Sequence, residues 1–423
     1  MQDQAHLGAG GLDGNKPFAA RIAKWCTYLL IAFPIVDYTL RLSVFHGLGS
    51  IWDKVVLLIL ALVALNRYIR GHRPAGFAWA KFAGWYILYC FALMLIGLGH
   101  ASVAFDGFRM DIYYILFGLL LPFIVDPDDV PKFLYAGAAV GILLGVHGVI
   151  QYVMAPQIPS GWVDVTEHVR TRVFSVLKSP NELGVTMEMM IPIIFGLCLW
   201  EKNRTRKWVY GFGGLFCLLT LLFTGTRGAW MGFGIALFVV AIAFERKLLI
   251  ALVVLGVIGF FLPPIHHRVM DLFNPVYMIK SSQGGRIIRW QTAFDVMSAN
   301  PLFGAGLGHY GGAVASTQGY SIYSDNYYAK VLGESGLVGL VLFVSMHVAI
   351  LREMMVTVVK RAKGRDRYLA MGGFAGILAV LVHNFVENVF EYAPSIMLYF
   401  VMVGLFLLWG RSLEKNQEGQ HEK

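Results

Sequence analysis

The sequence predicts an all-α protein that crosses a membrane many times, and three observations carry that prediction. Hydrophobic residues make up 57% of the chain and charged residues only 14%, where soluble domains carry about 25% charged. The mean hydropathy is +0.62. Apolar runs of spanning length, about 20 residues for about 30 Å of hydrocarbon, follow one another along the chain with short polar breaks.

Taken in order, residues 1–17 are polar and Gly-rich, and a disordered cytoplasmic tail is expected there. No cleavable signal peptide is evident. Residues 18–263 hold nine expected spans, at about 23–42, 50–66, 77–98, 108–125, 133–153, 184–200, 207–223, 227–244 and 247–263. The first carries Asp37 and Arg41, four apart, which predicts an ion pair along a helix rather than charges facing lipid. Residues 264–324 form one long polar loop. Residues 325–411 hold three more spans, 325–351, 368–386 and 392–410, for about twelve in all, and 412–423 close the chain as a cytoplasmic tail. The run at 325–351 is long enough to begin along the interface before it spans.

Orientation follows from the basic residues. With the N-terminus in the cytoplasm, most of the 35 lysines and arginines fall in inside loops, as cytoplasmic loops require. Both termini and the basic loops near residues 67–81, 202–207 and 360–367 are then inside, and the 264–324 loop is outside. The net charge of +9 is accounted for in this way and calls for no nucleic acid. The four cysteines, Cys26, Cys90, Cys198 and Cys217, all lie in apolar runs without metal-ligand spacing, so packing is their expected role. No Walker motif, HExxH or CxxC is present, and no cofactor is implied.

The residues that could carry chemistry gather on the outer side. Arg227, in TGTRGAW, is a cation at a membrane mouth, flanked by glycine that lets a ligand approach. Its guanidinium suits bidentate binding of phosphate. The bland alternative is an arginine that snorkels to headgroups. Arg286 and Arg289, in GGRIIRW, are three apart and share a face if helical, a pattern that fits a diphosphate, or else the solvated face of an amphipathic helix. Arg170 and Arg172 precede Pro180 and Asn181, where a turn or helix start with Glu182 in its first turn is expected. Asp325 and Asn326 open the run DNYYAKVLGESGLVG. Asp325 suits an N-cap, or a carboxylate that accepts a proton from a sugar hydroxyl. Glu334 lies nine residues on and deeper, where a buried cation is its natural partner. His309 sits alone in the Gly-rich turn 304–312, where a structural role competes with acid–base work. His383, Glu387 and Glu391 also fall outside, at the turn between the last two spans.

Four stretches in order, RVFSVLKSPNELG, TGTRGAW, GGRIIRW followed by NPLFGAGLGHY, and DNYYAKVLGESGLVGL, resemble the O-antigen ligase and Wzy-type polymerase superfamily of bacterial polysaccharide enzymes. The resemblance covers about residues 170–345 and the twelve-span layout. It implies a metal-independent, inverting glycosyltransferase of the inner membrane, with its site at the periplasmic face. It implies a donor glycan on undecaprenyl diphosphate, an acceptor glycan, contact with membrane lipids, and a chain-length regulator or export complex as a partner. The family's arginines map onto Arg227 and Arg286, where diphosphate binding is expected, and Arg172, Asn181, Arg289, His309, Asn326 and Glu334 are the further residues expected to bind substrate. The histidine of the ligase-like motif maps onto Asp325, a departure that favours a polymerase joining lipid-linked repeat units over a ligase acting on lipid A core or protein. Two other classes compete, a transporter or flippase and a non-catalytic scaffold. Charges here lie at span ends on one side, where a transporter should carry them near mid-membrane.

Overall fold

The computed structural model describes residues 18–42, 46–157, 171–261, 266, 269–270, 279 and 285–421. The tail expected at 1–17, Arg170, Arg268 and most of the first half of the 264–324 loop lie outside the described residues. Within them the chain is helical and no strand occurs. The helices are α1 (Phe18–Ile31), α2 (Phe33–Leu42), α3 (Trp52–Ile69), α4 (Ala80–Ile96), α5 (Ala101–Ile124), α6 (Val130–Met154), α7 (Pro180–Trp200), α8 (Arg204–Phe223), α9 (Arg227–Phe244) and α10 (Lys247–Phe260). After the loop come α11 (Arg286–Ala299), the short α12 (Ala313–Thr317), α13 (Tyr327–Glu353), α14 (Asp366–His383) and α15 (Ala393–His421).

A helix stands in each of the twelve apolar windows, but length and composition support fewer spans. Among the described residues, seven stretches, at α5 to α9, α13 and α15, are long and apolar enough to cross a membrane. The first window is broken. α1 and α2 meet at 79° and would make an eighth span only if taken together. α4 and α10 are apolar but shorter. The expected ion pair is present, with Arg41 Nε 2.7 Å from Asp37 Oδ2.

The core is built on α15, whose apolar window is 94% buried against other helices, while that of α9 is 28% buried and turns most of its surface outward. α14 packs on α7 and α9, α8 on α6 and α7, α4 on α13, and α5 on α15. The α7–α14 crossing is close because of glycine. A Cβ on Gly372 or Gly376 would lie 2.3 Å from a backbone oxygen of α7.

The interhelical loops sort to two ends. One end is tied by Arg67 to Asp126 at 2.6 Å, by Arg411 to the carbonyls of Ala75 and Gly76 at 2.6 Å, and by Arg365 to the Glu201 carbonyl at 3.3 Å. The other end gathers the first turns of α7, α9, α11 and α13, where the candidate site residues stand.

α13 carries the break that shapes this second end. Gly336 sits at φ 64°, ψ −167° and divides the run into an outer segment and a long inner one. The freed backbone groups are satisfied by the Gly-rich turn. Ala305 N donates to Gly333 O at 2.8 Å, Gly306 N to Glu334 O at 2.9 Å, and Leu337 N to Pro301 O at 2.9 Å. Glycine is required at 336 both by the left-handed φ and because a Cβ would meet the Leu302 backbone at 2.5 Å. Gly336→Ala is therefore expected to destabilise the protein by at least about 2 kcal/mol, from backbone strain and overpacking together. Gly234→Ala, where a Cβ meets nothing within 4 Å, is expected to be neutral or stabilising. Melting of the two variants in detergent reads the difference.

Candidate functional site

The site is assembled around Asp325. This residue sits at φ +49°, which an asparagine or aspartate tolerates better than most side chains. Its neighbours hold it there. Ser324 N donates to Gly311 O at 2.8 Å and Ser324 Oγ bonds Asn388 Oδ1 at 3.0 Å, while Asn326 N donates to the same Asn388 oxygen at 3.1 Å. Asp325 was a candidate cap for the following helix, and that role belongs to Asn326, whose Oδ1 accepts from Ala329 N at 3.1 Å. A residue in the left-handed region cannot offer its side chain to the first turn in the manner of an extended Ncap residue, so the cap moves one position on. The carboxylate of Asp325 turns instead to α11.

Arg286 and Arg289 share a face of α11, as their spacing predicts, and both address Asp325 Oδ2. Arg289 NH1 lies at 2.8 Å and Arg286 Nε at 3.5 Å. Arg289 also donates to Tyr323 O at 3.2 Å, and its Nε–H is buried without a hydrogen-bond partner among the described residues. Trp290 Nε1 donates to Ser324 O at 3.1 Å, and the Tyr310 hydroxyl donates to the Arg289 carbonyl. Burial pushes the Tyr310 hydroxyl up to about 12, so it remains a donor throughout the physiological range. The first turns of α11 are thus stapled to the segment that carries Asp325.

A second string of polar contacts reaches the same arginine from α7. Ser179 caps α7 by accepting from Glu182 N at 3.2 Å, with Pro180 at the first helical position, as expected. Asn181 Nδ2 then donates to Glu387 Oε2 at 2.7 Å, and that oxygen lies 4.0 Å from Arg286 NH2. Arg172 closes the string. It donates to Thr224 O at 2.8 Å, Asn181 Oδ1 at 3.0 Å and Thr226 Oγ1 at 3.2 Å. Arg172 and Asn181 therefore tie the start of α7 to the turn before Arg227. Burial, then the charge of Asp325, push the Glu387 carboxyl up, and Arg286 pulls it back. Glu387 was noticed in the sequence only as an acidic residue on the outer side. Its contact with Asn181 spans 206 positions, and no local pattern announces it.

Arg227 is the first residue of α9. The glycine after it is required by packing, because a Cβ on Gly228 would sit 2.5 Å from His383 Nε2. His383 is wholly buried and its Nδ1 lies 3.0 Å from Glu188 Oε1, also wholly buried. Below Arg227, α9 presents Trp230, Phe233 and Leu237 to an apolar groove of about 750 Å³, completed by Phe195, Leu222 and Met371.

Two residues of the expected set stand elsewhere. His309 bonds Leu307 O at 3.0 Å and packs its ring on Tyr320 and His100, 4.6 and 5.7 Å between centroids, which fits the structural alternative. Glu334 does find a buried cation. Lys330 Nζ lies 3.1 Å from Glu334 Oε2, 2.6 Å from Asp111 Oδ1 and 3.6 Å from Glu391 Oε1. Glu334 Oε1 also accepts from Gly308 N at 3.1 Å. That cluster fastens the Gly-rich turn to the bundle, and neither residue contacts the arginines among the described residues. Burial raises the Glu391 carboxyl, and Lys330 opposes the rise.

Among the described residues, no group of three or more His, Cys, Asp or Glu side chains is placed to hold a metal ion. Three of the four cysteines are buried and all four are free thiols, in keeping with packing. What the site offers is two guanidinium groups against a carboxylate, at one end of the bundle, with a third arginine heading an apolar groove. No curated protein matches the chain. Residues 212–344, which include Arg227, Arg286, Arg289 and Asp325, match the O-antigen ligase family model, and this match supports the resemblance to the O-antigen ligase and Wzy-type superfamily.

Proposed function

We propose that the protein is a polymerase of a bacterial surface or exopolysaccharide, joining oligosaccharide repeat units carried on undecaprenyl diphosphate. The family match supports a glycosyltransferase-like membrane enzyme with lipid-linked glycan substrates. The finer reading rests on one observation above the others. An acidic residue, Asp325, bridges Arg286 and Arg289 at the position where the ligase-like motif carries histidine. In this reading the enzyme lies in the inner membrane with twelve spans and both termini in the cytoplasm, and the site faces the periplasm. The basic loops at the opposite end of the bundle favour that orientation.

The chemistry follows from the charges. The diphosphate oxygens bind Arg286 and Arg227, and the polyisoprenyl tail runs down the groove beneath Arg227. The acceptor hydroxyl oxygen attacks the anomeric carbon from the face opposite the diphosphate, which inverts the configuration. The carbon–oxygen bond to phosphate breaks, and its electron pair leaves on undecaprenyl diphosphate. Such a leaving group departs as an anion and needs cations rather than a general acid, so no metal is required of the mechanism. Asp325 takes the proton of the acceptor hydroxyl on Oδ1, since its contacts with the arginines run through Oδ2. Glu387 and Asn181 hold Arg286 from the other side. A chain-length regulator or export complex is the expected protein partner.

The family description favours a second reading, a ligase that transfers finished glycan to lipid A core or to protein. One experiment separates the two. The lipid-linked pool of cells lacking the protein should contain single repeat units on undecaprenyl diphosphate. Long polymer on the same lipid would mean a ligase, and an unchanged pool would remove both readings.

A further inference from the structure

A second cavity, polar in its lining, borders the segments that lead to Asn181 and from Glu387. It encloses about 280 Å³, at the small end of the range of ligand pockets, enough for a sugar residue or two. Its walls come from α2, the turn before α3, the first turn of α3, and α5. These elements are distinct from those that line the groove. The polar cavity reaches the site through two connections. Lys178, three residues before Asn181, and Glu391, four residues after Glu387, belong to the polar cavity.

The chemistry of the lining selects a class of ligand. Two carboxylates face the cavity and are more than nine-tenths buried, Asp37 at 7% and Asp53 at 6% exposed. Each is matched by a basic side chain reaching toward solvent. Arg41 lies 2.7 Å from Asp37, and Lys54 lies 3.4 Å from Asp53. Glu391 is matched by the buried Lys330 at 3.6 Å. With its acids already paired, the cavity has little call for a free cation. Tyr113 adds the decisive detail. Its hydroxyl is near the Asp53 carboxylate, yet is buried without a hydrogen-bond partner at bonding distance among the described residues. A ligand hydroxyl that accepts from Tyr113 can at the same time donate to Asp53, and only a group that is donor and acceptor at once can do so. The Tyr113 and Tyr114 rings, 5.0 Å apart and edge to face, supply an apolar wall of the kind on which a sugar's C–H face packs.

We propose that this cavity, around Asp53, Tyr113 and Lys178, is a carbohydrate subsite that holds the acceptor glycan. The assignment to the acceptor rests on the function proposed above, because the groove side is then taken by the donor lipid. The cavity holds the acceptor's terminal sugar by its hydroxyls and presents the next hydroxyl to Asp325 across the loop that carries Glu387.

The test uses the full-length protein in nanodiscs. The probe is the free oligosaccharide released by mild acid from the lipid-linked pool of the cells that make it, which carries no diphosphate. Wild-type protein should bind it saturably. Asp53→Asn and Tyr113→Phe, both close in shape to the native residues, should bind it about tenfold or more weakly while eluting as monodisperse protein and melting like wild type. Arg286→Ala should bind it as wild type does. Failure of the wild type to bind, equal affinity in both cavity variants, or loss of binding in Arg286→Ala overturns the subsite. Failure of the transferase reading shows separately, as wild-type protein that forms no glycosidic bond from intact lipid-linked donor.

Discussion

Arg286→Ala should lower glycan transfer by about 10²–10³-fold, the usual loss when one preorganised donor to a developing negative charge is removed. The geometry explains why so exposed an arginine matters. Its side chain is 37% exposed, yet it stands between two carboxylates at 3.5 and 4.0 Å, and neither contact is close. Asp325 and Glu387 hold the guanidinium in place without consuming its donors, which leaves N–H groups for phosphate oxygens. Arg286→Lys keeps the charge and should recover only a small part of the loss, because an ammonium cannot form the two parallel bonds of the fork. Transfer measured with purified protein and lipid-linked donor checks both variants. Wild-type rates in Arg286→Lys would show that charge alone suffices there.

Asp325→Asn should abolish most of the remaining chemistry in a different way. Asparagine tolerates φ +49°, and the helix cap is the neighbouring Asn326, so the backbone is expected to hold. The substitution removes the group that takes the proton, and a loss of about 10²–10⁴-fold is expected. The donor should still bind, since all three arginines remain. Asp325→Ala is expected to lose transfer too, with added strain from a left-handed alanine. Asn326→Ala should instead cost about 1 kcal/mol of stability through the cap. Full turnover in Asp325→Asn would remove Asp325 from the chemistry, and lost donor binding would make it a support of the arginines.

Much of the fold was legible because a membrane imposes simple rules. Apolar runs of about 20 residues become helices in lipid, because a helix satisfies its own backbone polar groups and a spanning barrel strand needs only about 9–11 residues. A helix accordingly stands in each expected window, although α4 and α10 fall short of the seven clear spans in length, and α3 and α14 in composition. The bend between α1 and α2 and the break at Gly336 were not legible. Each depends on what packs against it, and Gly336 looks like any glycine until the turn at 301–306 fills the gap.

The site was legible where its residues are close in sequence. RIIR puts two arginines on one face by helical spacing alone, and TGTRGAW places Arg227 at the start of a helix. The partner of both α11 arginines, Asp325, is 36 positions from Arg289, and nothing local links them. Glu387 and the buried set of Lys330, Asp111 and Glu391 went unassigned for the same reason. A charged residue inside an apolar run, such as Lys330 or Asp111, does signal a buried pairing. It does not say with what. His309 and Glu334 show the converse, residue types suited to chemistry that the fold spends on holding the Gly-rich turn.

The central claim is that this end of the bundle transfers glycan from a lipid diphosphate. It is tested most directly by counting products of purified protein supplied with glycan on undecaprenyl diphosphate. The account predicts one undecaprenyl diphosphate released for each glycosidic bond formed, and both products formed about 10²–10³-fold more slowly by Arg286→Ala. Glycosidic bonds formed at the wild-type rate by Arg286→Ala, or no bond formed by the wild type from intact donor, would contradict it.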